Sequence, residues 1–204
     1  MRGFLFGFIL GIAAVPVGMY IYFSNGHPPV AVADRPFPLE RQIVRLPLET
    51  RIETQVQQVA PIKPTAANLA AGAWIYRQRC VMCHGSSGHP AELAKYMYPP
   101  APQLWERHRN GAVGVSDDPP GETYWKIANG IRLTGMPAFG KLLNNKEMWQ
   151  VTLLLSNANR ELPAGAGHVL RGSARVSSPR KVADGENRVK LQAEPAPAPR
   201  QNKD

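Results

Sequence analysis

Cysteine is nearly absent from this sequence of 204 residues, which contains only Cys80 and Cys83. Two cysteines cannot build the disulfide framework that stabilises small secreted domains, so we expect these two to have a chemical role. Acidic residues are also few: 15 Asp and Glu oppose 24 Lys and Arg, for a formal net charge of +9. An excess of basic residues suggests nucleic acid or an anionic membrane as a partner. The export that the N-terminus predicts argues against nucleic acid.

Charged residues are absent from one long segment, Gly3 to Phe23. A helix of these 21 residues is long enough, at about 1.5 Å per residue, to cross a hydrocarbon core of about 30 Å. Tyr20, Tyr22 and Phe23 cluster at its end, where an aromatic belt would meet the lipid headgroups. The pattern predicts a transmembrane anchor over residues 1–23, with the rest of the chain outside the cytoplasm, on the periplasmic side.

A cleaved signal peptide is the alternative interpretation of this segment. Ala31-Val32-Ala33 resembles a cleavage site, but secretory apolar regions usually run for only about 7–15 residues. The greater length therefore favours a retained anchor. Both interpretations export the remainder of the chain.

Composition divides the exported part of the chain into three regions. Residues 24–65 contain seven prolines and are predicted to form a Pro-rich stalk. A short amphipathic helix is predicted within it, because apolar residues recur there at helical spacing: Leu48, Ile52, Val56 and Val59. Residues 66–162 form the only convincing globular unit. Residues 163–204 are rich in Ala-Pro, Ser, Gly and scattered basic residues, so we predict a disordered basic tail there.

Helical periodicity dominates the globular unit, and no alternation typical of strands is present. One helix face is predicted from the spacing of Leu69, Gly72, Ala73, Tyr76 and Cys80. A closing helix follows Asn144 and Asn145 as candidate N-caps, and a shorter helix runs from Thr123 to Asn129 before Gly130. Residues 85–121 show no period, and a loop this long is unusual unless it wraps something. The sequence predicts a small all-α domain.

The two cysteines lie in the sequence Cys80-Val81-Met82-Cys83-His84. This C-x-x-C-H pattern is the attachment sequence of c-type haem. Each thiol adds to one vinyl group of the porphyrin, and two intervening residues on a helical turn match the separation of the vinyl groups. The adjacent His84 then faces the iron as the proximal ligand, and its other ring nitrogen needs an acceptor. We expect the carbonyl of Pro99, Pro100 or Pro102 to serve.

Two other uses of the cysteines fit the sequence less well. A zinc site needs four nitrogen or sulfur ligands, but there is no second C-x-x-C, and His84 and His89 lie too close to Cys83 for a zinc finger. A thioredoxin-like redox pair needs a βαβ context, which is missing. An exported chain with no other cysteine favours haem.

Six methionines are candidates for the sixth position on the iron. Four of them have other locations, in the anchor, between the cysteines or on an apolar helix face: Met1, Met19, Met82 and Met148. Met97 and Met136 remain. Met136 is favoured, because Gly135 lets the backbone pass close to the ring and Pro137 stiffens the loop. Ordinary core packing is the alternative for Met136.

Together these motifs resemble those of the class I c-type cytochromes. The residues that carry the resemblance are, in chain order, Gly72, Tyr76, Cys80-x-x-Cys83-His84-Gly85, Trp125-Lys126-Ile127, Gly130-Ile131, Thr134-Gly135-Met136-Pro137-Ala138-Phe139 and Trp149. The resemblance covers residues 66–159. It implies that the first and last helices cross, with Gly72 and Tyr76 near Trp149. It also implies that His84 is the proximal and Met136 the distal ligand. Trp125 suits a haem-pocket wall and ordinary core equally well.

We therefore predict a membrane-anchored monohaem cytochrome with one covalent haem c, held by Cys80 and Cys83 and ligated by His84 and Met136. It would be an electron carrier between respiratory redox proteins, not an enzyme, and would transform no small-molecule substrate. The alternative is a permanently bound haem c electron-acceptor subunit of a membrane dehydrogenase or oxidase complex. An enzyme or gas sensor with an open iron would require that Met136 not bind the metal.

Overall fold

The computed structural model describes residues 2–56 and 59–171. Helices make up the regular structure of these residues, and no strand occurs among them, which confirms the predicted all-α class. The α-helices, in chain order, are α1 Arg2–Asn25, α2 Glu40–Gln55, α3 Ala66–Arg79, α4 Val81–His84, α5 Pro120–Asn129, α6 Asn145–Ser156 and α7 Ala164–Leu170. A short 3-10 helix, Glu92–Tyr96, lies between α4 and α5.

Helix α1 contains the predicted apolar segment and continues two residues beyond it, to Asn25. Residues Gly3–Asn25 are long and apolar enough to cross a membrane, and none of this span is buried against the rest of the chain. Pro16 lies inside the helix without ending it, as is tolerated in membrane helices. The helix is therefore not a core element of the globular domain.

The domain core forms where α3 crosses α6. Each helix has an N-cap: Thr65 accepts a hydrogen bond from the Asn68 amide, and Asn144 forms a capping box with Glu147. Gly72 is the contact point of α3, because a Cβ there would lie 2.2 Å from the carbonyl oxygen of Gln150 in α6. The resemblance to class I cytochromes implies that the first and last helices of the domain cross near Trp149, and α3 and α6 do so. Helix α7 follows α6 in the chain.

Helix α7 changes the predicted end of the domain. The composition of residues 163–204 predicts a disordered tail, but Ala164–Leu170 form a helix that packs along α3. Ala166, Val169 and Leu170 are buried there, and the Arg77 guanidinium donates to the Val169 carbonyl over 3.0 Å. The domain boundary at 162 is therefore wrong by about one short helix, because burial on α3 stabilises a segment whose composition is weakly helical on its own. The predicted tail from residue 172 onward lies outside the described residues.

A pair of truncations should measure the contribution of α7. A chain that ends after Leu162 loses the burial of Val169 and Leu170, so we expect its thermal midpoint to fall by about 10 °C relative to a chain that ends after Arg171. Thermal unfolding followed by circular dichroism compares the two. Equal midpoints would contradict the packing of α7 on α3.

The stalk contains α2, which is longer than the predicted short helix and includes Pro47. Its C-terminal end packs on α5: Ile52 is buried, and the Gln55 side-chain oxygen accepts a hydrogen bond of 3.2 Å from the indole N–H of Trp125. Trp125 therefore contacts the stalk, and it does not line the apolar cavity that contains Cys80, Cys83 and His84. Of the two roles that the sequence allows for Trp125, the structure supports packing between helices.

Candidate haem-binding site

One largely apolar cavity in the globular domain brings the predicted site residues together. Cys80, Cys83 and His84 line it from the end of α3 and from α4, and Met136 lines it from the loop after α5. Core side chains complete the lining, among them Leu104, Ile127, Phe139, Val151 and Leu155. The loop between α4 and α5, which shows no period in the sequence, contributes Met97 and residues 99–102 to the lining. It wraps this cavity, as its length predicts.

The C-x-x-C-H sequence forms a single helical turn. Cys80 lies between α3 and α4 as the cap residue of both helices, and its carbonyl accepts hydrogen bonds from the amides of Cys83 (3.1 Å) and His84 (2.9 Å). Both cysteines and His84 line the cavity, whereas Met82 between the cysteines is exposed. The turn therefore presents two thiols and one imidazole to the same space.

The orientation of His84 is set by a hydrogen bond of 2.8 Å between its Nδ1 and the carbonyl oxygen of Pro102. A carbonyl only accepts, so Nδ1 carries the proton and Nε2 keeps its lone pair. Burial lowers the pKa of His84, and the hydrogen bond to Pro102 opposes this in part. The neutral imidazole is thus favoured, with Nε2 available to a metal. Among the three carbonyls that the sequence left open, the structure selects Pro102.

Gln103 braces this arrangement, although nothing in the sequence singled it out. Its side-chain nitrogen donates to the Cys83 carbonyl (3.2 Å), and its side-chain oxygen accepts from the Ala91 amide (2.6 Å). The Leu104 amide also donates to the His84 carbonyl (3.2 Å). The loop is thereby tied to α4. No local pattern could have revealed this role, because it depends on the path of a long irregular loop.

The arrangement of possible ligands bears on the zinc alternative. His89, the other proposed ligand, is exposed and is not part of the cavity lining. Among the residues that the structure describes, no three His, Cys, Asp or Glu side chains come together as a metal site. The geometry therefore argues against zinc at these residues. Burial raises the pKa of the Cys80 thiol to about 12, and the neighbouring Cys83 adds to the effect.

Met136 lies on a loop that is tied to α5. Its amide donates to the Thr134 hydroxyl (3.1 Å), and its carbonyl accepts from the Ile131 amide (3.2 Å). Beyond it, the Phe139 amide donates to the Ile127 carbonyl (3.0 Å). These bonds hold the Met136 thioether in the cavity, half-buried.

Met97 reaches the same cavity from the other loop. A Cβ added to Gly135 would lie 2.2 Å from the terminal methyl carbon of Met97, so this side chain packs directly on the residue before Met136. Two thioethers therefore approach one space. The assignment of Met136 as the distal ligand stays a prediction, since both candidates that the sequence retained are present. Met148, in contrast, is buried in the core as expected.

Two cationic side chains also line the cavity, Arg79 and Lys126. Lys126 is paired with Glu122 (2.5 Å) and lies 4.0 Å from Asp118. The pKa of Asp118 is raised, mainly by burial and then by Glu122, while Lys126 opposes the shift. Arg79 directly precedes Cys80, so its position beside the motif could have been inferred from the sequence. The position of Lys126 at the cavity could not, because it depends on which face of α5 packs toward the cavity.

The residues around the cavity fit a c-type haem. Two thiols on one helical turn and an imidazole with its Nε2 unprotonated line an apolar cavity that two methionine side chains also reach, and these groups suit the attachment and ligation of haem c. The apolar lining suits burial of a macrocycle.

Comparison with known families agrees with this fit. Residues 67–154 match the family described as cytochrome C oxidase, cbb3-type, subunit III. The match spans α3 to the last turns of α6 and includes every predicted site residue. No curated protein and no solved structure matches the chain significantly. This part of the chain is a c-type cytochrome domain, as the class I resemblance predicted. It is a domain for electron transfer with haem c, and an apolar helix suited to a membrane precedes it.

Proposed function

We propose that this protein is a membrane-anchored monohaem cytochrome that carries electrons between redox partners outside the cytoplasm. Haem c would be attached through Cys80 and Cys83, and His84 and Met136 would bind its iron. The observation that carries the proposal is the hydrogen bond from His84 Nδ1 to the Pro102 carbonyl, which leaves Nε2 free in the cavity that also contains both thiols and Met136.

The side chains have distinct tasks in this function. When bound, the haem iron supplies one-electron chemistry by alternating between its ferrous and ferric states. His84 and Met136 would both hold the iron, and the iron would then offer no position for a substrate, which supports a carrier over an enzyme. The thioether of Met136 would favour the ferrous state and raise the reduction potential. The apolar lining would limit the access of water to the haem.

Covalent attachment is the first property to test. Acid-acetone extraction should leave the haem on the wild-type polypeptide, and the pyridine haemochrome spectrum should report one haem per chain. Replacement of both Cys80 and Cys83 by Ala should make the haem extractable. Complete extraction from the wild type would contradict the attachment. Met82→Ala is the matched control: this exposed side chain lies between the cysteines and should not affect attachment.

Helix α1 would hold the haem domain at a membrane on its periplasmic side. The support is its length and apolar composition, with no burial of the span in the rest of the chain. The chain has a net positive charge, so it would associate faster with acidic redox partners, because complementary charges steer such transient encounters.

The second candidate function is that of a haem c subunit bound permanently in a membrane oxidase or dehydrogenase complex. The description of the matched family, an oxidase subunit, favours it. Purification of the full chain in mild detergent followed by gel filtration separates the two proposals. Co-elution with stoichiometric partner subunits at high salt supports the complex, because transient electron-transfer contacts dissociate under those conditions. Elution as a lone haem protein supports the carrier.

A further inference from the structure

Helix α2 presents one face to the haem domain. Val44, Leu48 and Ile52 are spaced four residues apart and therefore share a face. Their burial increases along the helix, from 38% exposure at Val44 to 5% at Ile52. Beyond Ile52, Gln55 accepts the hydrogen bond from Trp125 of α5. This face attaches the stalk to the globular domain.

The opposite face of α2 is apolar and uncovered. Leu39, Ile43 and Leu46 are 65%, 67% and 67% exposed. At about 100° per residue Ile43 and Leu46 lie on the side opposite Leu48, and Leu39 directly precedes the helix as its N-cap residue. Ile43 and Leu46 lie within an arc of about 100° around the helix axis, and the other residues of this arc are uncharged: Pro47, Thr50 and Thr54. All charged residues of the helix fall outside the arc: Glu40, Arg41, Arg45, Glu49, Arg51 and Glu53.

The start of α2 is held beside the end of α1. The ring of Phe37 contacts the ring of Tyr22, with 6.1 Å between their centroids. Tyr22 lies in the last turns of α1, among the aromatic residues predicted to form the interfacial belt. The Phe37 amide donates to the Glu40 carboxylate (2.8 Å), and the Glu40 amide donates to the Phe37 carbonyl (3.1 Å). The first turn of α2 is thereby fixed at the level of the belt.

A turn at residues 30–34, between α1 and α2, returns the chain toward the aromatic end of α1. The Asp34 carboxylate accepts hydrogen bonds of 2.8 Å from the amides of Val30 and Ala31. These bonds to backbone amides lower the pKa of the Asp34 carboxyl and so favour its charged form. The segment between α1 and α2 is therefore folded rather than extended.

We propose that α2 lies on the surface of the same bilayer that α1 crosses, with Leu39, Ile43 and Leu46 in the interfacial region. The inference rests on the proposed function of α1 as a retained anchor. Three apolar side chains would bind a membrane weakly on their own, but α1 gives them a high effective concentration at the surface. With its opposite face on α5, α2 then holds the haem domain beside the membrane in a preferred orientation.

Photo-cross-linking of the full chain tests this placement. Benzoyl-phenylalanine is introduced in separate chains in place of Leu10, Ile43, Leu46 or Arg51, and each chain is reconstituted in vesicles of phosphatidylethanolamine and phosphatidylglycerol. Leu10 lies within the α1 span, and Arg51 is an exposed position of α2 outside the apolar arc. An unchanged visible haem spectrum confirms the fold of each chain. Irradiation at positions 10, 43 and 46 should give lipid adducts, detected by mass spectrometry, at least about tenfold above those at position 51.

The other outcomes separate this inference from the anchor on which it rests. Lipid adducts at position 10 with only background at 43 and 46 would overturn the placement of α2 and leave the anchor intact. A cross-linked dimer from positions 43 and 46, or in native membranes a cross-link to another protein, would assign the face to that occupant and overturn the inference. The lack of adducts at position 10 would refute the anchor and this inference with it.

Discussion

Met136→Ala should remove one of the two protein ligands of the haem iron and leave a coordination position free for an added ligand. With the thioether removed, we expect carbon monoxide binding to the reduced protein to rise from almost none to about one equivalent per haem, and the reduction potential to fall. The weak near-infrared charge-transfer band of thioether-ligated ferric haem should disappear. Absorption spectra of the oxidised protein and carbon monoxide titration of the reduced protein measure these effects.

Met97→Ala is the control that the structure requires, because Met97 lines the same cavity and packs on Gly135. Its removal should leave the near-infrared band in place and the iron closed. If Met97→Ala opens the iron while Met136→Ala does not, the ligand assignment is wrong and the thioether comes from the other loop. Loss of haem attachment in either variant would be visible in the haemochrome spectrum.

Gly72→Ala should strongly destabilise the domain, although it adds only one methyl group. The new Cβ would lie 2.2 Å from the carbonyl oxygen and 2.7 Å from the carbonyl carbon of Gln150, and the backbone of α6 cannot yield without disturbing the core. We expect a loss of about 3 kcal/mol in the free energy of unfolding, which corresponds to a fall of about 10–20 °C in the thermal midpoint. Thermal unfolding of the haem-loaded protein measures it.

Gly165→Ala provides the matched control for Gly72→Ala. It is the same substitution in another helix, α7, where the nearest atom would be the Ala70 Cβ at an ordinary 3.8 Å. Each substitution gains helix propensity, by at most about 1 kcal/mol, so a larger difference between the two variants reports the helix crossing at Gly72. If Gly72→Ala unfolds within a few degrees of Gly165→Ala, α3 and α6 are not in close contact at Gly72.

Local features of the sequence were sufficient to predict which side chains of the candidate site lie together. The C-x-x-C-H spacing acts within one helical turn, so Cys80, Cys83 and His84 were predicted to face one space before any fold was known, and they do. The helical periodicity around Tyr76 predicts the first helix of the domain, because burial of one face gives a repeat of 3.6 residues. That this helix crosses the closing helix near Gly72 was implied by the resemblance to class I cytochromes. The long apolar segment likewise follows from composition alone.

The tertiary structure decided what depends on distant parts of the chain. The choice of Pro102 among three carbonyls and the bracing by Gln103 follow from the path of an irregular loop. Trp125 was ambiguous because an amphipathic helix does not reveal which neighbour covers each face, and only the packing of α2 on α5 assigned it to the stalk.

Helix α7 shows the same limit at the domain boundary. Its seven residues are too few to form a stable helix alone, and its composition, with Gly165 and Gly167, gives no strong helical signal. It is stabilised by packing on α3, where Ala166, Val169 and Leu170 are buried. The sequence by itself therefore determined the reactive groups and their local spacing. The tertiary structure determined which surfaces are shared, since burial is a property of two segments and not of either one.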